Sequence, residues 1–146
     1  MFAIRGRVQK GIGESNKTIK EQLPFFEKVC PEIIACHPGT INIRLDKPLV
    51  VFKPDFSTES VPWHPALKLI KKGEKFEFVN VILKIDGCEP VKSWIYKAQF
   101  SPYRDDPFII EVIAPRINFS GTPDCTVEII SNCFDGVIAI SDTNKR

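Results

Sequence analysis

The sequence has few of the features that mark zinc-binding, secreted or membrane proteins. Its only histidines are His37 and His64, and none of its five cysteines forms a Cys-x-x-Cys pair. Because no third nitrogen or thiolate stands at metal-ligand spacing, we expect no zinc site. The chain opens without an apolar run of signal-peptide length, and nowhere does it approach the roughly 20 apolar residues that a membrane span needs.

The sequence also lacks a large excess of positive or negative charge. The formal net charge is +2, and the lysines are scattered apart from the Lys71-Lys72 pair. This pattern argues against a nucleic-acid partner and favours a phosphate-bearing small molecule. The odd number of cysteines indicates reduced thiols in a cytosolic setting. We therefore expect a cytoplasmic protein that has no membrane partner and acts as a monomer.

The composition fits one folded unit. The 146 residues are 43% hydrophobic and 26% charged, which is ordinary for a soluble globular protein. We expect a single domain over residues 1–142, followed by a polar tail over residues 143–146.

Alternating apolar residues and turn signals predict a mainly β fold with one short helix between Ser15 and Val29. Many short strands joined by hairpins favour a small closed or nearly closed barrel, because closure removes exposed strand edges. Residues 53–75 form a long irregular segment, which we call the excursion. Trp63 lies in it and belongs either to a lid or binding loop or to a plug that seals one end of the core, and we favour the plug. The predicted strands cover residues 2–8, 41–45, 49–52, 76–85, 92–100, 108–114, 126–130 and 137–140.

A Pro-Gly turn leads into the strand over residues 41–45. Pro38 fixes φ and Gly39 can take a positive φ, so the backbone is predicted to turn sharply there. Thr40, Asn42 and Arg44 then share the wet face of the strand. Neutral oxygens are ligands for Mg²⁺, and the arginine guanidinium forms bidentate hydrogen bonds with phosphate. This face is therefore suited to binding a cation and an anion side by side. A half-exposed strand without function is the alternative.

Two further features point to ligands. Gly11-Ile12-Gly13 follows the first strand, and bare amides in such a turn bind anions, although a flexible hairpin-like turn is the alternative. Glu111 stands in an otherwise apolar strand. A buried carboxylate there needs a partner or a ligand, unless the strand lies at an edge and the carboxylate faces water.

Three separated stretches resemble the archaeal-type, CTP-dependent riboflavin kinases. They run from Gly6 to Ser15, from Pro38 to Leu45 and from Ile109 to Pro115, and together they span most of the chain. The resemblance implies a six-stranded cradle-loop barrel. It also implies transfer of the γ-phosphoryl group of CTP to the ribityl 5′-hydroxyl of riboflavin, which gives FMN, with Mg²⁺ as the metal ion.

The resemblance also implies residue roles. Thr40 and Asn42 match the metal ligands of the family. Glu111 matches a flavin-contacting acid that is also a candidate general base, and Ser101 matches a substrate-binding threonine if a two-residue insertion is allowed. The positions that match nucleotide-binding residues are Gly11, Ile12, Gly13, Glu14, Ser15 and Asn16 in the glycine loop and Pro115, Arg116, Ile117 and Asn118 after the last motif.

The chain departs from the family in two places. Glu14-Ser15-Asn16 stands where family members continue the loop as Gly-Glu-Gly, and residues 119–125 replace a more acidic turn. Two alternatives to riboflavin kinase activity therefore stay open. One is a non-catalytic nucleotide- or flavin-binding barrel that acts as a sensor or subunit, and the other is a kinase for a different polyol-bearing substrate.

Overall fold

A computed structural model of the chain describes residues 2–10, 15–69, 72–130 and 137–139. Alternation of apolar and polar residues produces the strands, and the helices lie between them. The elements in chain order are β1 Phe2–Gln9, α1 Ser15–Phe26, a 3-10 helix Pro31–Ala35, β2 Ile41–Leu45, β3 Leu49–Phe52, β4 Phe56–Ser57, α2 Pro65–Leu69, β5 Phe76–Ile85, β6 Val91–Ala98, β7 Ile109–Ile113, β8 Asp124–Ile129 and β9 Val137–Ala139.

Six strands pair in a ring. The antiparallel sheet has the order β4-β5-β6-β7-β2-β1-β8, and β8 also pairs with β5. Each of the six strands from β5 to β8 in this order therefore pairs with two neighbours in the ring. Strands β3 and β9 form a separate two-stranded sheet. The mainly β prediction is confirmed, and β7 is an internal strand because β2 and β6 pair with its two sides.

The inner face of the ring is apolar. All six strands of the ring contribute buried side chains to one cluster, so this cluster lies inside the ring. On β2 and β7, for example, the inner residues Ile43 and Val112 have no exposed surface. Gly6 on β1 permits the close approach of β2, since a Cβ atom there would lie 2.5 Å from the carbonyl oxygen of Arg44.

A second apolar cluster lies on the outer face of β5, β6 and β7, beneath α1 and the 3-10 helix. Phe26 of α1 is completely buried, and its ring lies 4.9 Å from the rings of both Phe76 and Phe78. Trp63 packs against the edge of this cluster. Trp63 of the excursion therefore packs against the outer face of the sheet.

The helical content was underestimated. The chain has a second short helix, α2, in the proline-rich excursion, where the sequence has little periodicity. Helix α1 ends at Phe26, and residues 27–29 form a turn in which the Phe26 carbonyl accepts the N–H groups of Val29 and Cys30. Among the described residues, no helix is long and apolar enough to cross a membrane.

Candidate functional site

A row of polar side chains crosses four strands on the outer face of the ring. The register pairs Gln9 of β1 with Asn42 of β2, Asn42 with Glu111 of β7, and Glu111 with Tyr96 of β6. Directly paired residues on antiparallel strands project to the same side. Asn42, Glu111 and Tyr96 therefore lie side by side on the face that α1 covers.

Asn42 is buried, which corrects the prediction of a wet face at this position. Only 7% of its surface is exposed. Its Oδ1 atom accepts no hydrogen bond from any residue that the structure describes. A buried amide oxygen without a donor costs free energy, and neutral oxygens of this type are ligands for Mg²⁺. The site thus contains an acceptor that a hard cation would satisfy.

Glu111 has two hydroxyl partners. Ser101 donates to one carboxylate oxygen at 2.6 Å, and Thr40 donates to the other over a long 3.4 Å. Burial raises the pKa of Glu111 above its ordinary value of 4.5, the two hydroxyl donors lower it in part, and the negative charge of Glu74 adds to the increase. Since β7 is internal and Glu111 is half-buried, the alternative of a water-facing edge position is wrong.

A turn at Pro38 places Thr40 beside the end of β7. The Gly39 N–H donates to the His37 carbonyl at 2.9 Å, which makes a three-residue turn centred on the proline. The His37 N–H donates to the carbonyl of Ala114 at 3.1 Å. The positive φ angles among the described glycines are at Gly87 and Gly121, so the predicted positive φ at Gly39 is wrong, and the proline alone shapes the turn.

The first cavity lies between this turn and the segment after β7. Its volume is about 380 Å³, within the range of small-molecule sites. Thr40 and Ile41 line one side, and the predicted nucleotide-binding residues line the other. These are Pro115, Arg116, Ile117 and Asn118, followed by Phe119. The structure thus brings two separated parts of the predicted site into one cavity.

The second cavity, of about 320 Å³, lies between α1, the residues around Trp63 and the loop between β6 and β7. Its lining is mostly apolar and includes Trp63 and Phe100. Ser101 and Glu111 are among its polar lining residues. Because Thr40 lines the first cavity and contacts Glu111 of the second, the two cavities meet at the Thr40–Glu111 hydrogen bond.

The predicted glycine loop is only partly described. Gly11, Ile12, Gly13 and Glu14 lie outside the described residues, and Ser15 and Asn16 begin α1. The described flanks fix the ends of the loop. Gln9 is the last residue of β1 and pairs with Asn42, and Thr18 of α1 lines the second cavity. β1 therefore ends beside Asn42, and α1 begins at Ser15.

Arg44, which shares a face with Asn42 in the sequence pattern, is exposed and has other partners. Its guanidinium donates to Gln9 at 3.2 Å and lies 3.8 Å from the carboxylate of Asp106. Sequence reasoning missed three buried polar residues of the second cavity, Gln22, Glu74 and Tyr96. No local pattern marks them, because each acquires its position through contacts between distant segments, such as the 2.6 Å bond from Tyr96 to Gln22.

No family model matches the chain. A comparison with curated proteins finds similarity to a tRNA (guanine(10)-N(2))-methyltransferase of Bos taurus, with 34% identity over 62 residues. The match covers 42% of this chain and 14% of the methyltransferase, so the chain spans only a small part of that protein.

Proposed function

We propose that this protein is a CTP-dependent riboflavin kinase that transfers the γ-phosphoryl group of CTP to the ribityl 5′-hydroxyl of riboflavin and forms FMN. The observation that carries the proposal is the junction of the two cavities at Thr40 and Glu111. Transfer between two bound molecules needs one site for the donor, one for the acceptor, and a shared boundary where the reacting atoms meet.

In this proposal the first cavity holds the cytidine end of CTP. Pro115, Arg116, Ile117 and Asn118 line it, and Phe119 offers an aromatic face at its rim. The glycine loop, which leaves β1 beside Asn42, holds the phosphates. The ring of six strands is then the cradle-loop barrel of the family, and the protein acts as a cytoplasmic monomer.

Thr40 and Asn42 are the residues that would hold Mg²⁺. The buried, unsatisfied Oδ1 of Asn42 fits this role, and Thr40 supplies a second neutral oxygen at the boundary between the cavities. Mg²⁺ bound there would neutralise charge on the phosphates of CTP, which is the main electrostatic demand of phosphoryl transfer.

The second cavity is proposed to hold riboflavin. Trp63 and Phe100 supply apolar, aromatic surface for the flavin ring, and the polar residues Ser101 and Glu111 receive the ribityl chain. With its raised pKa, Glu111 is suited to accept a hydrogen bond from the 5′-hydroxyl and to orient it. Little base assistance is required, since the transition state of phosphoryl transfer is loose.

The test is to incubate the purified chain with riboflavin, Mg²⁺ and either CTP or ATP, and to separate the flavins by chromatography. We expect FMN to form with CTP, and to form only when Mg²⁺ is present. The absence of FMN with CTP, together with measurable binding of CTP or riboflavin, would favour the non-catalytic sensor or subunit. A phosphorylated product from another polyol, without FMN, would favour a different acceptor.

Methyl transfer to tRNA is not part of the proposal. The similarity to the methyltransferase extends over 14% of that protein, and the net charge of +2 gives no strong attraction for RNA.

A further inference from the structure

Glu74 is an unusual buried carboxylate. Only 4% of its surface is exposed, and no ion pair joins it to another residue of the described part of the chain. It accepts two hydrogen bonds instead, from the Trp63 indole nitrogen to Oε1 and from the Phe100 backbone nitrogen to Oε2, each at 2.8 Å. Burying a charge is costly, so the two hydrogen bonds that the Glu74 carboxylate accepts are needed to offset that cost.

The two donors belong to separate segments that line the second cavity. Trp63 belongs to the excursion over residues 53–75, and Phe100 belongs to the turn after β6. Ser101 follows Phe100 directly and donates to Glu111. A second link lies beside the first, since Lys75 and Gln99 exchange hydrogen bonds at 3.1 and 3.0 Å. The turn that carries Ser101 is thus hydrogen-bonded to the segment before β5 that carries Glu74.

We propose that Glu74 is a positioning residue for the acceptor site: its carboxylate holds the Trp63 wall and the Phe100–Ser101 turn together, so that Ser101 stays against Glu111. This inference rests on the proposed function for its consequence in riboflavin binding, but the link itself does not depend on that function. Glu74 and Glu111 both line the second cavity.

The link is tested by NMR of the indole protons. The chain has two tryptophans, Trp63 and Trp94, and Trp94 Nε1 is buried without an acceptor among the described residues. We expect the Trp63 indole proton to resonate downfield because its acceptor is a carboxylate. In Glu74→Gln the amide accepts from one N–H group but turns its own donor toward the other, so one bond is lost. The Trp63 signal should move upfield, whereas the Trp94 signal should not.

Two further variants separate charge from geometry. Glu74→Asp keeps the charge on a shorter side chain that cannot reach both donors, and Trp63→Phe removes one donor and assigns the indole signals. The matched control is Glu59→Gln, an exposed acid in the same excursion. If Glu74→Gln does not fold, Glu74→Asp provides the same comparison.

The functional readout is the Kd for riboflavin, from quenching of flavin fluorescence. We expect Glu74→Gln to raise the riboflavin Kd about tenfold, and Glu59→Gln to leave it unchanged. An unchanged Trp63 signal in Glu74→Gln would overturn the link, and an unchanged riboflavin Kd would overturn the positioning role. If the unaltered protein neither binds riboflavin nor makes FMN, the proposed function fails, while the indole signal still decides whether the link exists.

Discussion

The two faces of strands β2 and β7 differ in a way that separates folding from chemistry. On the inner face, Ile43 and Val112 join an apolar cluster to which all six strands of the ring contribute. On the outer face, their neighbours Asn42 and Glu111 are polar, yet Asn42 is also buried. Apolar burial stabilises the fold by itself, whereas polar burial is costly unless a partner is present. The outer face of these strands is therefore where a ligand is expected.

Ile43→Ala on the inner face is the strongest test of the difference between the two faces. We expect the free energy of unfolding to fall by about 2–5 kcal/mol, since a completely buried side chain is replaced by a cavity. Chemical denaturation monitored by tryptophan fluorescence measures the change. Turnover per folded molecule should remain close to that of the unaltered protein. A large loss of turnover in folded Ile43→Ala would show that the two faces are not separable.

Asn42→Ala, one residue away on the outer face, should show the opposite behaviour. If the proposed function is right, kcat for FMN formation should fall roughly 10²- to 10³-fold, because the proposed ligand of the metal ion is lost. Thermal stability without ligands should be unchanged or higher, since the substitution removes an unsatisfied oxygen. Asn80→Ala is the matched control, because Asn80 on β5 also has a buried Oδ1 without a donor in the described residues. Full turnover in Asn42→Ala would contradict the metal role.

Glu111→Gln is expected to lower kcat/KM for riboflavin on the order of tenfold, through the loss of a charged hydrogen-bond acceptor. It should also change how stability depends on pH. Burial raises the pKa of Glu111 in the folded state above the ordinary 4.5, so the folded protein binds this proton more tightly than the unfolded chain does. The contribution of Glu111 to stability is thus present below pH 4.5 and is lost as pH rises through the folded-state pKa.

The pH dependence gives Glu111→Gln a readout besides activity. Relative to the unaltered protein, the variant should become more stable as pH increases from about 4 toward neutrality. Denaturation midpoints at several pH values measure this difference. A difference in stability that does not vary with pH would contradict the raised pKa, whatever the effect on turnover.

Much of the fold was predictable from alternation, because a strand with one apolar face has a clear period of two. The bounds of β2, β3 and β5 agree with the predicted strands. The pattern does not show what covers each face, so it placed Asn42 in water, whereas α1 covers the face on which Asn42 lies. The helix in the excursion was missed, since a five-residue helix among prolines has too few turns to show a period.

The candidate site was predictable only in part. Thr40 and Glu111 were singled out from the strand patterns, whereas Ser101 and the residue roles came from the resemblance to a family. The structure places the three side chains in one hydrogen-bonded group. Glu74 could not be found in this way, because its partner Trp63 is 11 positions away and its partner Phe100 is 26 positions away. Contacts of this kind depend on how the excursion packs against the sheet, which no local pattern encodes.

The smallest expected effects come from a matched pair of aromatic residues, one in each cavity. Phe119 lines the first cavity and is 37% exposed, and Phe100 lines the second and is 50% exposed. Their similar exposure means that replacement by alanine should cost little stability in either case.

If the first cavity holds CTP and the second holds riboflavin, Phe119→Ala should weaken only CTP binding and Phe100→Ala only riboflavin binding. An aromatic contact contributes about 0.5–1.5 kcal/mol, which is about 2- to 10-fold in Kd. Calorimetric titration of both ligands against both variants measures all four values. A reversed pattern would exchange the donor and acceptor cavities, and an equal loss for both ligands would mean that the cavities are not separate sites.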